Sequence, residues 1–212
     1  MFKLAHEGYP FVIVFGLITL FTYFFIKPSI AVLPLGITLF LVFFFRDPER
    51  RIPEGEGLFV SPADGEVILV NDVYEPDYLR TVTKEISIFM SPFDVHVNRA
   101  PCDGIVSIIK YSPGKFVAAY KDESSIINEN IVMVLEVKEG RILVRQVAGV
   151  LARRVVCRAK VGDRMKRGER YGIIKFGSRL DVYLPKNVEV KVKLGNKVKA
   201  GETVIAAIKK EE

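Results

Sequence analysis

Two stretches without a single charge, residues 10–26 and 29–45, limit this chain more than anything else in it. Each is about 17 residues long, apolar on every side and rich in Phe, and only Lys27-Pro28 parts them. As helices they would be roughly 25 Å long, at the short end for a hydrocarbon core of about 30 Å. A helix with no polar side has no place on the surface of a soluble fold. Residues 1–45 therefore read as a hydrophobic helical hairpin that crosses a membrane twice, or as a re-entrant pair that dips into one. The competing reading is two buried helices of a soluble core. A cleaved signal peptide is disfavoured, because the first run has no small-residue cleavage site and a second run follows directly. Lys3, Arg46, Arg50 and Arg51 flank the pair, against Lys27 alone between the runs. The positive-inside rule then puts both ends, and with them the main domain, on the cytoplasmic side of the cell membrane.

Residues 46–57 are polar and punctuated by Pro and Gly, the pattern of a linker. Over residues 58–212, short runs rich in Val and Ile alternate with turn residues, at 66–70, 85–90, 105–109, 131–137 and 141–147. That spacing predicts a mainly β domain, sandwich or barrel-like. Residues 148–154 read as a short helix or a loop. Two internal echoes sharpen the prediction. Pro62-Ala63-Asp64-Gly65 recurs as Pro101-Cys102-Asp103-Gly104, each followed by a Val/Ile run. Val161-Gly162-Asp163 with Arg167-Gly168-Glu169 recurs as Leu194-Gly195-Asn196 with Ala200-Gly201-Glu202. Such doubled units resemble the hammerhead half-motifs of biotinyl and lipoyl carrier domains. The net charge of +6 suits a domain resting on anionic lipid. Nucleic acid is not expected as a partner, since the basic residues are dispersed among strands without a recognition motif. Cys102 and Cys157 read as buried thiols, with neither a disulfide framework nor metal-ligand spacing, so no metal is expected.

Residues 175–181, Lys-Phe-Gly-Ser-Arg-Leu-Asp, lie between two apolar runs, 171–174 and 182–184. Those runs read as the strands of a hairpin, with Gly177-Ser178 at or next to its bend. Most Gly-Ser pairs are ordinary turns. They also permit a particular chemistry. A deprotonated serine hydroxyl can attack the carbonyl before it and turn the amide into an ester. Glycine there has no Cβ, which eases the backbone geometry and leaves the carbonyl open to oxyanion donors. Elimination would break the chain and leave dehydroalanine, which hydrolyses to a pyruvoyl group, a ketone able to act as an electron sink. The serine needs a base. The chain has two histidines, His6 ahead of the first apolar run and His96 in the β region. His96 taken alone is most simply a structural strand residue, and Asp64 a turn residue. An Asp that orients a His that deprotonates a Ser is, however, the logic of a triad.

The sequence resembles the phosphatidylserine decarboxylase proenzymes of the short type found in archaea and some bacteria. The resemblance rests on Phe45-Arg46-Asp47-Pro48, Ser61-Pro62-Ala63-Asp64-Gly65, Phe93-Asp94-Val95-His96-Val97-Asn98-Arg99 and Asn128-Glu129-Asn130. It continues through Gln146-Val147-Ala148-Gly149, Ala152-Arg153-Arg154, and Phe176-Gly177-Ser178-Arg179 with Asp181-Val182-Tyr183-Leu184-Pro185. These run in order over nearly the whole chain. One departure is Asn130, where many members carry arginine. The resemblance implies self-cleavage between Gly177 and Ser178 into a β chain, 1–177, and an α chain, 178–212, which stay together as a heterodimer. The α chain would begin with a covalent pyruvoyl group made from Ser178. Asp64, His96 and Ser178 would form the maturation triad. The mature enzyme would decarboxylate a membrane serine phospholipid, phosphatidylserine or its archaeal ether counterpart archaetidylserine, to the ethanolamine lipid. His96 would protonate the product carbon, and Arg153 and Arg154 would hold the phosphate, or else form a basic edge facing lipid. Two rivals stand beside this expectation. One is a membrane-anchored, non-enzymatic carrier or scaffold of biotinyl/lipoyl-like fold, although Ile174-Lys175-Phe176-Gly177 does not match the lysine tip of a carrier. The other is a self-processing enzyme acting on a soluble amino acid.

Overall fold

The computed structural model describes residues 3–114, 128–149, 154–175 and 178–209. It divides into two compact units, Met1–Glu49 and Arg50–Glu212. The boundary falls inside the polar stretch 46–57.

The first unit is helical. A single 3-10 turn, His6–Gly8, leads into helix α1, Tyr9–Phe21, which runs on through a π-helical turn, Thr22–Ile26. Lys27 breaks it with extended backbone, and Pro28 opens helix α2, Pro28–Phe44, at a position where a missing N–H costs nothing. His6–Ile26 is 21 residues of continuous helix with mean hydropathy 2.1, long and apolar enough to cross a membrane, while Pro28–Phe44 is shorter. The helices touch where side chains are small or match. Thr19 and Thr38 meet hydroxyl to hydroxyl at 3.3 Å, and each hydroxyl also bonds a carbonyl in its own helix. Phe11 stacks on Phe45. Most of the remaining large side chains point outward, among them Phe25 at 76% and Leu33 at 73% exposure, while Leu41 and Phe44 are buried. An apolar surface of that extent fits lipid and does not fit water.

Among the described residues, the second unit has fourteen strands in three sheets, all paired antiparallel. They are β1 (Leu58–Val60), β2 (Gly65–Glu75), β3 (Thr81–Met90), β4 (Val97–Arg99), β5 (Gly104–Ser112), β6 (Asn130–Val137) and β7 (Gly140–Ala148). After these come β8 (Val155–Cys157), β9 (Arg164–Met165), β10 (Arg170–Ile174), β11 (Ser178–Pro185), β12 (Val188–Val190), β13 (Lys197–Val198) and β14 (Val204–Ile208). The large sheet has the order β13-β2-β3-β11-β7-β6-β5-β9; the small ones are β1-β14-β12 and β4-β10-β8. The expected Val/Ile runs all fall within strands of the large sheet, and the mainly β prediction holds.

The 171–174 and 182–184 runs do not form the expected hairpin. The first is in β10, paired with β4 and β8, and the second is in β11, paired with β3 and β7 in another sheet. The burial pattern gives the reason. Every residue of β11 from Ser178 to Leu184 is buried, as befits a central strand covered on both faces. Leu180, Val182 and Leu184 face the main core with Ile86, Ile88, Ile142 and Val144. Each such fully buried aliphatic contributes about 1.5–3 kcal/mol.

The internal echoes are equivalent structures. Val198 pairs with Gly65 as Met165 pairs with Gly104. Gly195 donates to the Val67 carbonyl at 2.8 Å, and Gly162 to that of Val106 at 2.8 Å. A bulge follows Val67 against β3, and another follows Val106 against β6. Both turn aspartates accept an amide from the matching turn: Asp64 from Ala200 at 2.8 Å, Asp103 from Arg167 at 2.7 Å.

Candidate active site

Ser178 is the first residue of β11, fully buried, and sits opposite Met90 on one side and Ala148 on the other. Its hydroxyl donates to the Met90 sulfur at 3.3 Å. Asn98 donates to the same sulfur at 3.8 Å, and Gln146 donates to Asn98 Oδ1 at 2.8 Å. A thioether is a weak acceptor. The hydroxyl is therefore held in place at little cost to its later release.

His96 is fully buried at the end of the 91–96 loop. Asp94 shapes that loop by accepting the Ser91 amide at 2.8 Å and the Ser91 hydroxyl at 2.7 Å. The His96 Nδ1 lies 3.0 Å from the Asp94 carbonyl. A carbonyl can only accept, so Nδ1 carries the proton and, in the neutral ring, Nε2 keeps the lone pair. The His96 carbonyl accepts from the Ile174 amide at 3.3 Å, which ties the loop to the strand end just ahead of Ser178.

Asp64 stands in a turn set by Ser61, whose hydroxyl donates to the Ala63 carbonyl at 2.6 Å. Gly65 has no substitute here: a Cβ would lie 2.1 Å from the Phe89 carbonyl oxygen. Both Asp64 oxygens accept from Arg50 Nη2, at 2.9 and 2.8 Å, and Oδ1 accepts the Ala200 amide as well. The Arg50 side chain is only 7% exposed and also reaches Glu202 at 3.6 Å. Burial pushes the Asp64 carboxyl above its ordinary range. The Arg50 charge and the two sets of hydrogen bonds pull it back, and the Asp94 charge adds to the push.

The other face of β11 carries a separate polar ladder. Arg179 bonds Asp181 at 2.5 Å and Ser87 at 2.9 Å, Tyr183 donates to Glu85 at 2.9 Å, and Arg145 to Tyr183 at 3.2 Å. Burial pushes the Glu85 carboxyl up. Cys102 and Cys157 are free thiols, and burial drives Cys102 up to about 12, far from a reactive thiolate. Among the described residues, no three His, Cys, Asp or Glu side chains are grouped so as to hold a metal ion.

Comparison with known proteins decides the family. The phosphatidylserine decarboxylase family profile matches residues 37–206. A phosphatidylserine decarboxylase proenzyme of Syntrophus aciditrophicus is 50% identical over 202 residues, 94% of this chain and 95% of the relative. Proenzymes of the same description from Geotalea uraniireducens and Symbiobacterium thermophilum are 48% and 46% identical, each covering 97% of this chain and 96% and 95% of their own lengths. The chain belongs to the phosphatidylserine decarboxylase family. It is therefore an enzyme, of the decarboxylase class, and the carrier or scaffold rival falls.

Within this family member, His96 is bonded through its carbonyl to Ile174, four residues ahead of Ser178 in the chain. Asp64 is close enough to Asp94 for their charges to interact, yet its hydrogen bonds go to Arg50 and Ala200 and not to His96. Arg154 is exposed, and its carbonyl accepts from Lys175 at 3.3 Å, near the start of β11 in the chain. Gly177 and Arg153 lie outside the described residues, as does most of 148–154. Arg50 bonds the candidate residue Asp64, and Met90, Asn98 and Gln146 form a bonded chain from the candidate residue Ser178; none of the four was singled out from the sequence as a site residue. Arg50 reads on paper as one more flanking charge, and Met90 as one more core residue. Gln146 carried a faint signal, as the only glutamine in the chain and part of a recognised motif.

Proposed function

We propose that the chain cuts itself between Gly177 and Ser178 and that the mature αβ enzyme decarboxylates a serine phospholipid, ester- or ether-linked, to the ethanolamine lipid. The observation that carries this reading is the parked Ser178 hydroxyl: buried, held on a thioether, and on the strand that follows the His96-bound strand end. His96 Nε2 takes the hydroxyl proton, and Oγ attacks the Gly177 carbonyl carbon. The C–N bond breaks to leave an ester. Loss of the α proton of Ser178 then breaks the Cβ–Oγ bond and frees the Gly177 carboxylate. Hydrolysis of the resulting dehydroalanine releases ammonia and leaves the pyruvoyl group. Asp64 keeps a negative charge beside the 91–96 loop and stabilises the imidazolium. The Arg50 guanidinium on both its oxygens supports the charge, and the Asp94 charge felt at Asp64 supports its nearness to the loop.

The residues present fit such a group. Apart from Gln146, the face around Ser178 is apolar, with Met90, Ala148, Leu180 and Ile88. The group supplies a ketone that takes up an amine and draws off the electron pair left by departing carbon dioxide. The chain's own part is to exclude water there, to return a proton to the product carbon from His96, and to hold the lipid phosphate at Arg153 and Arg154. The apolar helices keep the second unit at the cytoplasmic face of the membrane, where a lipid substrate is found.

Intact-mass measurement of the purified protein tests the reading. Two chains are expected, split after Gly177, with the smaller one blocked at its N-terminus. Ser178→Ala should remain whole and release no carbon dioxide from phosphatidylserine or archaetidylserine. An active wild-type chain of full length would overturn the proposal.

A further inference from the structure

Gln146 projects from β7 onto the same face of the sheet as Ser178. Its strand partner is Leu180, two residues along from Ser178, a diagonal of about 7–8 Å. The orientation of its amide is set by two neighbours. The nitrogen donates to Asn98 Oδ1 at 2.8 Å and to the Val156 carbonyl at 3.4 Å. The Val156 carbonyl has nothing to donate, so the nitrogen and not the oxygen must face it. Gly172 makes the slot for this amide, since a Cβ there would lie 2.3 Å from the Val156 oxygen and 2.8 Å from Gln146 Nε2.

With both N–H groups engaged, Oε1 is left buried and without a hydrogen bond. The residue is 1% exposed. An amide oxygen buried this way costs about 1–3 kcal/mol, and in a native interior it points to a missing partner that donates. Among the described residues the neighbours on this face supply none: Ile88, Met90, Ala148 and Leu180 are apolar, and the Asn98 amide nitrogen is turned to the Met90 sulfur. A donor carried by a molecule that enters beside Ser178 would satisfy the oxygen. On the reading of Ser178 given above, on which this inference rests, such a molecule brings one obligatory donor to that point, its amino nitrogen.

We propose that Gln146 Oε1 accepts a hydrogen bond from the substrate's nitrogen and so selects head groups whose amine keeps an N–H. Asn98 and the Val156 carbonyl hold the amide in the accepting orientation. The residue acts on the bound lipid and has no part in the self-cleavage.

The test compares inhibition of the purified, cleaved enzyme by phosphatidylethanolamine, which has N–H donors, and phosphatidylcholine, which has none. Both are presented in mixed micelles with phosphatidylserine as substrate. In the wild type the ethanolamine lipid should inhibit at about tenfold lower concentration, the factor that one hydrogen bond of ordinary strength provides. Gln146→Met keeps the length of the side chain and removes the acceptor. It should still cleave, narrow the preference between the two lipids about tenfold, and raise KM about tenfold with a smaller change in kcat. Trapping of substrate nitrogen onto the α chain by cyanoborohydride, read as added mass, should fall in parallel at low lipid. A purely structural role would lower activity and leave the preference intact. A preserved preference, a wild type with none, or a Gln146→Met chain that fails to cleave would each overturn the proposal. Failure of the pyruvoyl reading itself looks different, because the wild-type chain would then be uncut or would trap nothing.

Discussion

Asp64 and Asp103 occupy equivalent turns of one repeated motif, and they meet different fates. Each accepts a backbone amide from its partner turn, and each is followed by a glycine that starts a long strand. That shared hydrogen bond is sufficient reason for an aspartate at either place. Asp103 is exposed. Asp64 is largely buried and has in addition a guanidinium bonded to both oxygens. A buried ion pair is seldom the most stable way to fill its space. The difference therefore separates what the motif needs in order to fold from what has been added at one of its two copies, and the carboxylate so held feels the charge of Asp94, in the loop that carries His96.

Substitutions at matched positions break or sharpen this contrast. The largest gap is expected between Asp64→Asn and Asp103→Asn. The first should slow chain cleavage about a hundredfold or more, and the second should stay within about twofold of wild type, as followed by intact mass over time. Equal rates would abolish the distinction. Next come the arginines. Arg50→Ala strands a buried carboxylate and should lower stability by about 3–5 kcal/mol. Arg167→Ala gives up hydrogen bonds to the Gly55 and Leu58 carbonyls and should lose about 1–2 kcal/mol, both read by thermal unfolding in detergent. The glycines follow. Gly65→Ala meets the Phe89 oxygen at 2.1 Å with φ at +154°, whereas Gly104→Ala meets the Val137 side chain at 2.9 Å and the Glu136 oxygen at 3.0 Å. Losses of about 2–3 and about 1 kcal/mol are expected in the same assay.

The smallest effect is in pH. Burial holds the Asp64 carboxyl above its ordinary 3.8, so it takes up its proton at a higher pH than a free aspartate does. Cleavage should fall as pH drops through that raised value. Arg50 lowers the value, so its removal moves the acid limb to higher pH, while Asp103→Asn leaves the limb in place. A limb unmoved in Arg50→Ala would take Asp64 out of the reaction.

The parts of the fold visible in the sequence were those with local causes. The apolar runs gave the helices, the Val/Ile runs gave strands β2, β3, β5, β6 and β7, and the glycine spacing gave the repeated turns. The pairing of β10 and β11 was misread because two neighbouring apolar runs and a Gly-Ser suggest a hairpin, and nothing local says that each strand has better partners elsewhere. Candidate site residues stood out where a residue type or pair is rare in the chain, as with His96, one of two histidines, and Ser178, in its one Gly-Ser pair. Arg50 escaped because a surface arginine and one buried against an aspartate fourteen residues away are written alike. Gln146 escaped because its importance lies in an unmet hydrogen bond, which only packing reveals.

Strand β11 lies between β3 and β7, bonded along its length on both sides, and the strands that follow it join two further sheet edges, beside β1 and β2. A break just ahead of Ser178 would thus sever the polypeptide without loosening the body. The two fragments are interwoven like threads of one cloth, so the short one could be parted from the long one only by unfolding both, and no linker is required to keep the new chain end where it was made.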